Sequence, residues 1–180
     1  MDKYKKATIH VLELAAASLV IAFLLQAFAS FTYDMVEFKT GFDHAVKLLY
    51  KYPKDVASIF AYCSAIFAVF ALSVCWYGSE LEAFVRKRII VPAFEIASHM
   101  LAMAAGVFVV WFFSELASAE DGSEFISSTY FSALSAMLLM FALAVISECL
   151  AIYLASDFDI HMQSIAKFRV VFLLVVTVIL

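Results

Sequence analysis

The stretch VASIFAYCSAIFAVFALSVCWY, Val56–Tyr77, carries no charged residue, no glycine and no proline. A helix needs about 20 consecutive apolar residues to cross the hydrocarbon of a bilayer, and this run meets that length. It is continuous rather than alternating, so it does not read as a strand of an outer-membrane barrel. In lipid a continuous run can satisfy its backbone N–H and C=O groups only as a helix. Three further runs have the same character. They are Leu14–Tyr33, interrupted only by Gln26, Ile96–Ser114, which contains His99, and Tyr130–Ser147.

The whole composition agrees. The chain has 180 residues, of which 66% are hydrophobic and 16% charged, with a mean hydropathy of +0.98. Soluble domains are about 45–50% apolar and about 25% charged. The expected fold class is therefore all-α, a polytopic membrane protein with four transmembrane helices. Residues 1–155 are expected to form the four-helix transmembrane domain. Residues 156–180 are expected to form a cytoplasmic amphipathic segment and an apolar tail. Ser156 is a candidate cap for a helix over Ser156–Arg169. Val170–Leu180 is too short to span, so it reads either as a truncated fifth helix or as a tail packed against the protein. The basic N-terminus, Lys3, Lys5 and Lys6, precedes a run too long for a cleaved signal, so the first run reads as a retained span.

Lys and Arg set the orientation. Lys3, Lys5, Lys6, Arg86, Lys87, Arg88, Lys167 and Arg169 fall on one side of the four spans, and Lys39, Lys47, Lys51 and Lys54 on the other. The loop Glu115–Thr129 has no basic residue and several acidic ones. The N-terminus is thus expected in the cytoplasm, with the protein in the bacterial inner (plasma) membrane. Tyr33, Trp111 and Tyr130 then mark the outer interface, and Trp76, Tyr77 and Tyr153 the inner one. In the first outer loop, Gly41–Tyr52 sorts apolar and charged residues onto opposite helical faces, the pattern of a short interfacial helix ending before Pro53. A kink is expected at Pro92, where the third helix extends toward the cytoplasm.

The ionisable groups that touch the runs are few. Glu13 precedes span one, Glu95 precedes span three and Glu148 follows span four, so all three are expected at one depth near the cytoplasmic boundary. His10 lies three residues from Glu13 and His99 four from Glu95, which puts each pair on one helix face. This candidate polar layer has three readings. The carboxylates sit at headgroup level and snorkel, or they ring a pore or proton site, or they dock a cytoplasmic partner. A charge at the bilayer centre costs ~3 kcal/mol on insertion scales, so such groups usually face protein or water.

Small residues supply candidate packing sites. Ala102 and Gly106 form a small-x-x-x-small pair, Ser132 and Ala136 another, and Ala15–Ser18 a third patch. Packing within one bundle and homo-oligomerisation would both use them. Arg86, Lys87 and Arg88 form a basic cytoplasmic edge, the candidate partner-facing surface.

Several chemistries lack their residues. Cys63, Cys75 and Cys149 form no C-x-x-C, and none is placed for a disulfide exchange site outside the membrane. His10 and His99 are expected about seven residues apart in depth, or ~10 Å at helical rise, too far to clamp one haem. Ser98 and His99 diverge by about 100° on a helix and cannot act as a nucleophile–base pair. No zinc-protease, nucleophile-elbow or Walker pattern occurs. The net charge of -4 argues against a nucleic-acid partner. No catalytic residue, metal site or cofactor is expected. The protein reads as a non-catalytic membrane subunit that oligomerises and acts as a sensor or anchor for a cytoplasmic protein partner. The alternative is an oligomeric ion or proton channel using the carboxylate layer.

In size, span number and orientation the chain, from Leu14 to Ser147 with the basic edge at Arg86–Arg88, resembles small four-helix membrane subunits of bacterial phage-defence systems, the Kiwa KwaA-like proteins among them. The resemblance implies a membrane-embedded oligomer that detects membrane perturbation and works with a cytoplasmic effector. It assigns no functional residues.

Overall fold

A computed structural model describes residues 2–32, 53–77, 82–118, 128–156, 165 and 167–179. All regular structure among the described residues is helical. The chain forms α1 (Asp2–Thr32), α2 (Pro53–Tyr77), a short α3 (Glu82–Val85), a π-helical turn (Arg86–Ile90), α4 (Val91–Ser118), α5 (Ser128–Ala155) and α6 (Phe168–Ile179). Four segments within these helices are long and apolar enough to cross a membrane: Lys3–Leu25, Pro53–Cys75, Arg86–Phe113 and Phe131–Ala155. The interfacial helix expected over Gly41–Tyr52 lies outside the described residues.

The four long helices do not share burial equally. α4 packs against α1, α2 and α5, whereas α1 and α2 barely meet. Of the apolar windows, that of α4 is 56% buried and that of α1 only 11%. α4 is therefore the central rod, and its sequence shows why. Phe94, Ala97, Ser98, Leu101, Ala102, Ala104, Ala105, Val107, Phe108 and Val110 are buried around nearly its whole circumference, the pattern of a helix enclosed by others.

Lipid tails give apolar helices no reason to leave them, so association rests on close packing and interhelical hydrogen bonds. The α2 surface is built for that. Ala57, Ala61, Ser64, Ala68 and Ala71 are buried in a stripe of alternating three- and four-residue steps, a seam of small side chains that lets two backbones approach. On α5 the corresponding stripe is Met140, Ala144, Ser147, Ala151 and Leu154. Gly106 of α4 makes the closest approach. A Cβ there would collide with the Ser18 hydroxyl and the Ala15 carbonyl and stand 2.9 Å from the Leu19 nitrogen. The small pair Ala102 and Gly106, with Ala15 and Ser18, is thus consumed within one chain, joining α4 to α1. Ser132 is exposed and Ala136 half-buried.

Two sequence boundaries need correction. Arg86–Arg88 are not in a loop but in the π-helical turn that leads into α4. Pro92 has no N–H for the Arg88 carbonyl, and its ring crowds that carbonyl. The strain is relieved one turn earlier, where the Val91 N–H donates to the carbonyl of Arg86, five residues back. Lys54, expected in the outer loop, lies in the first turn of α2. Pro53 opens that helix, where its missing N–H costs nothing. Ser156 follows the last turn of α5, its amide donating to the Tyr153 carbonyl at 3.2 Å; most of the helix expected over Ser156–Arg169 lies outside the described residues. The tail helix α6 begins at Phe168 and packs against α2, with Phe172 and Ile165 in the core.

Candidate functional site

The relative depth of the polar groups follows from contacts between helices. The His10 and His99 rings meet edge to face, with centroids 5.4 Å apart. The Ser18 hydroxyl lies 3.4 Å from the Met103 carbonyl. Numbers rise together in these two contacts, so α1 and α4 run parallel. α2 runs the other way. Its Ser64 hydroxyl donates to the Ala97 carbonyl at 2.8 Å, while Lys54 stands 5.5 Å from the Trp111 ring centroid. α5 is also antiparallel to α4. The Ser98 hydroxyl donates to the Ala144 carbonyl at 3.0 Å, and the short connection from Ser118 to Ser128 could not reach if the two ran together.

These pairings separate the three carboxylates. Glu148, one turn beyond Ala144, is level with Glu95, one turn before Ser98. Glu13 is not. Carried along α1 from either contact, it falls level with the stretch between Ser98 and Ala102, ~5–10 Å past Glu95 toward Trp111. The single layer expected from the sequence is thus two levels. The reason is that α1 is set further toward the Trp111 end of α4 than its own apolar run implied, because Gly106 must meet Ala15 and Ser18. The same shift overturns the expected depth offset between His10 and His99, whose rings touch. With the rings in contact, no porphyrin fits between them.

The environments also differ. Glu13 and His10 are exposed, as is Glu95, while His99 is half-buried. Glu148 is half-buried, and its Oε2 is covered with no hydrogen-bond partner among the described residues. Its neighbour Ser147 is fully buried, and its hydroxyl likewise has no partner among them. The π-helical turn packs against α5 as well as against α2 and α4, so the basic edge and this acidic end belong to one structural unit. Within that turn Lys87 and Arg88 are exposed, and Arg86 is half-buried.

Sequence reasoning missed one set of residues. Ser64 and Ser98 each donate a hydroxyl to a backbone carbonyl of a neighbouring helix, tying α2 and α5 to α4, while the Ser18 hydroxyl bonds within its own helix to the Ala15 carbonyl at 2.9 Å and lies 3.4 Å from the Met103 carbonyl of α4. A carbonyl oxygen has two lone pairs and can accept this bond beside its own helical one. Each such bond contributes about 0.6 kcal/mol on average and up to about 1.7. The available signal was a serine among small residues in a charge-free run. No group of three metal-ligating side chains converges among the described residues. Comparison with protein-family models, curated proteins and solved structures finds no match to this chain.

Proposed function

We propose that this protein is a non-catalytic integral membrane subunit that works as an oligomer, anchoring and presenting the basic cytoplasmic edge Arg86–Arg88 to a soluble partner. The observation that carries the reading is the character of the core. Along α4 from Phe94 to Val110 the interior is filled by apolar side chains, and the hydroxyls of Ser64 and Ser98 within it are committed to backbone carbonyls. Such an interior supplies rigidity. The π-helical turn is an extension of the same rod, with Ile90 and Phe94 fully buried, so displacement of α4 would be transmitted directly to the basic edge.

The conducting alternative asks for several carboxylates at one depth around a common axis. Within a chain Glu13 stands apart from Glu95 and Glu148, which favours the scaffold. The stimulus is proposed from the resemblance to phage-defence subunits: perturbation of the membrane that surrounds the largely exposed α1. The test is purification from carbonate-washed membranes, followed by native mass measurement and reconstitution into liposomes. The expected result is carbonate resistance, a mass of two or more chains and no proton flux. Carbonate extraction would end the membrane reading, and flux abolished by Glu13→Gln or Glu95→Gln would replace the scaffold with the channel.

A further inference from the structure

Between Lys6 and Thr32 on α1 the only ionisable side chains are His10 and Glu13, and between Arg88 and Ser114 on α4 they are Glu95 and His99. The fold brings the two imidazoles together, with centroids 5.4 Å apart and planes crossed at 73°. Between two phenylalanines packing alone would account for such an edge contact. Imidazole differs, because a neutral ring carries both an N–H donor and a nitrogen lone pair. Among the described residues neither ring has a hydrogen-bond partner. Each ring also has a carboxylate one turn away on its own helix, Glu13 three residues after His10 and Glu95 four before His99. Ionisable groups in a spanning segment are costly and mark functional positions, and here all four from two helices gather around one ring contact.

We propose that His10 and His99 are the two protein nitrogens of a transition-metal site, with zinc the best-fitting ion, that clamps α1 to α4. A zinc–nitrogen bond of about 2.0–2.1 Å puts an imidazole centroid ~3.2 Å from the ion, and two such rings at a tetrahedral angle stand ~5.2 Å apart. The 5.4 Å between the rings is close to that separation. Neighbouring positions on a square-planar copper or nickel ion would draw the rings to ~4.5 Å, and opposite positions would spread them to ~6.4 Å. The terminal torsion of a histidine is broad, so a nitrogen of each ring can turn into the gap without moving either backbone. Two neutral imidazoles leave the double charge of the ion uncompensated. Glu13 and Glu95, one from each helix, would neutralise it. No three of these groups converge as the chain stands, so the touching rings are the fixed half of the site. The carboxylates, both exposed, are the half that swings, onto the ion or onto its bound water. The clamp matters because α1 is held by a narrow strip, with Ala7, Val11 and Ala22 its buried side chains. An ion would tie this loosely packed helix to the central rod. The inference goes beyond the scaffold reading and holds whether or not copies of the chain assemble.

The test is zinc binding by the untagged chain in detergent, stripped with EDTA and measured by equilibrium dialysis. The expected result is one zinc per chain, lost in His10→Ala and in His99→Ala. It should be kept in His44→Ala, in His161→Ala and in the chain whose three cysteines are replaced by alanine. Glu13→Gln and Glu95→Gln together should weaken binding by about 10- to 100-fold. A second measurement uses the unaltered chain, so it does not depend on the variants folding. With Cu(II) as the probe, electron paramagnetic resonance should show coupling to two imidazole nitrogens. No zinc bound at submillimolar concentration, or zinc kept by either His10→Ala or His99→Ala, would overturn the site. A copper spectrum with fewer than two imidazole nitrogens would do the same. Unchanged affinity in the double glutamine variant would overturn the part given to the carboxylates. Any of these results leaves the scaffold reading standing, because that reading is tested by assembly and flux and not by metal.

Discussion

Replacing Gly106 with alanine tests the contact that sets the level of every polar group on α1. The added Cβ would stand 2.9 Å from the Leu19 nitrogen and closer still to the Ser18 hydroxyl and Ala15 carbonyl. Two of those three atoms are backbone, so a side-chain rotation cannot clear the space, and α1 must move away by ~1 Å. A gap of that size forfeits a quarter to a half of each dispersion contact along the seam. Val11 and Ala22, with the partly buried Leu14, Ala15 and Leu19, lie on it, and over such a patch the loss is ~2 kcal/mol. The Ser18 hydroxyl adds little to this, because its single proton bonds the Ala15 carbonyl of its own helix at 2.9 Å and the Met103 carbonyl is 3.4 Å away. The loss, ~2 kcal/mol, lies within the usual cost of overpacking. The helix-propensity gain of alanine does not offset it, because apolar helices of spanning length persist in a membrane-inserted unfolded state. The assay is denaturation of the purified protein by increasing mole fraction of SDS, followed by circular dichroism, for Gly106→Ala, Ser18→Gly and the double variant. Removing the Ser18 side chain clears one of the three obstacles, so the double variant should recover ~1 kcal/mol relative to additivity. A Gly106→Ala chain as stable as the parent, or strict additivity in the cycle, would refute the close approach of α1 and α4.

Two further outcomes follow from the same packing. Ser64→Ala and Ser98→Ala should each lower stability in the SDS titration by about 0.6–1.7 kcal/mol, and their effects should add because the two bonds lie on different interfaces; losses no larger than that of Ser135→Ala, an exposed serine bonded within its own helix, would deny the hydroxyl ties any role. Pro92→Ala removes the reason for the π-helical turn. It should restore ordinary helical bonding through Arg88 and rotate the basic edge by about 100°, one residue's worth, which spin-label distances from position 87 to α5 would detect as a shift that an unaltered distance would rule out.

The helical class and the four apolar segments were legible in the chain because they need nothing but length and composition. A run such as Val56–Tyr77 meets the span requirement whatever surrounds it. That Pro92 would disturb the helix was legible too, since proline removes a bond, although that a π-helical turn at Arg86–Ile90 would absorb the loss was not. Helix ends were read less well. Apolar runs stop at the last charge, whereas the helices continue through Lys3, Lys5 and Lys6 in α1 and through Arg86–Arg88 before α4, because charged side chains at a helix end reach water without breaking it.

The candidate polar groups could be named from the sequence but not placed. Glu13, Glu95 and Glu148 appear equivalent when each is measured from its own apolar run. Their true relation depends on the vertical register between rods, and no residue in any single rod encodes that alone. It is decided where two surfaces fit, at Gly106 against Ala15 and Ser18, and it is reported by His10 against His99. The amino-acid sequence by itself determined that there are four lipid-compatible helices and which way adjacent ones must alternate, because those follow from local hydropathy and short connections. Only the tertiary structure decided that α4 is the centre, that Ala102 and Gly106 are spent against α1 inside the chain, and that Glu13 lies on an exposed face at a level apart from Glu95 and Glu148, because interlocking between separate helices is a property of pairs.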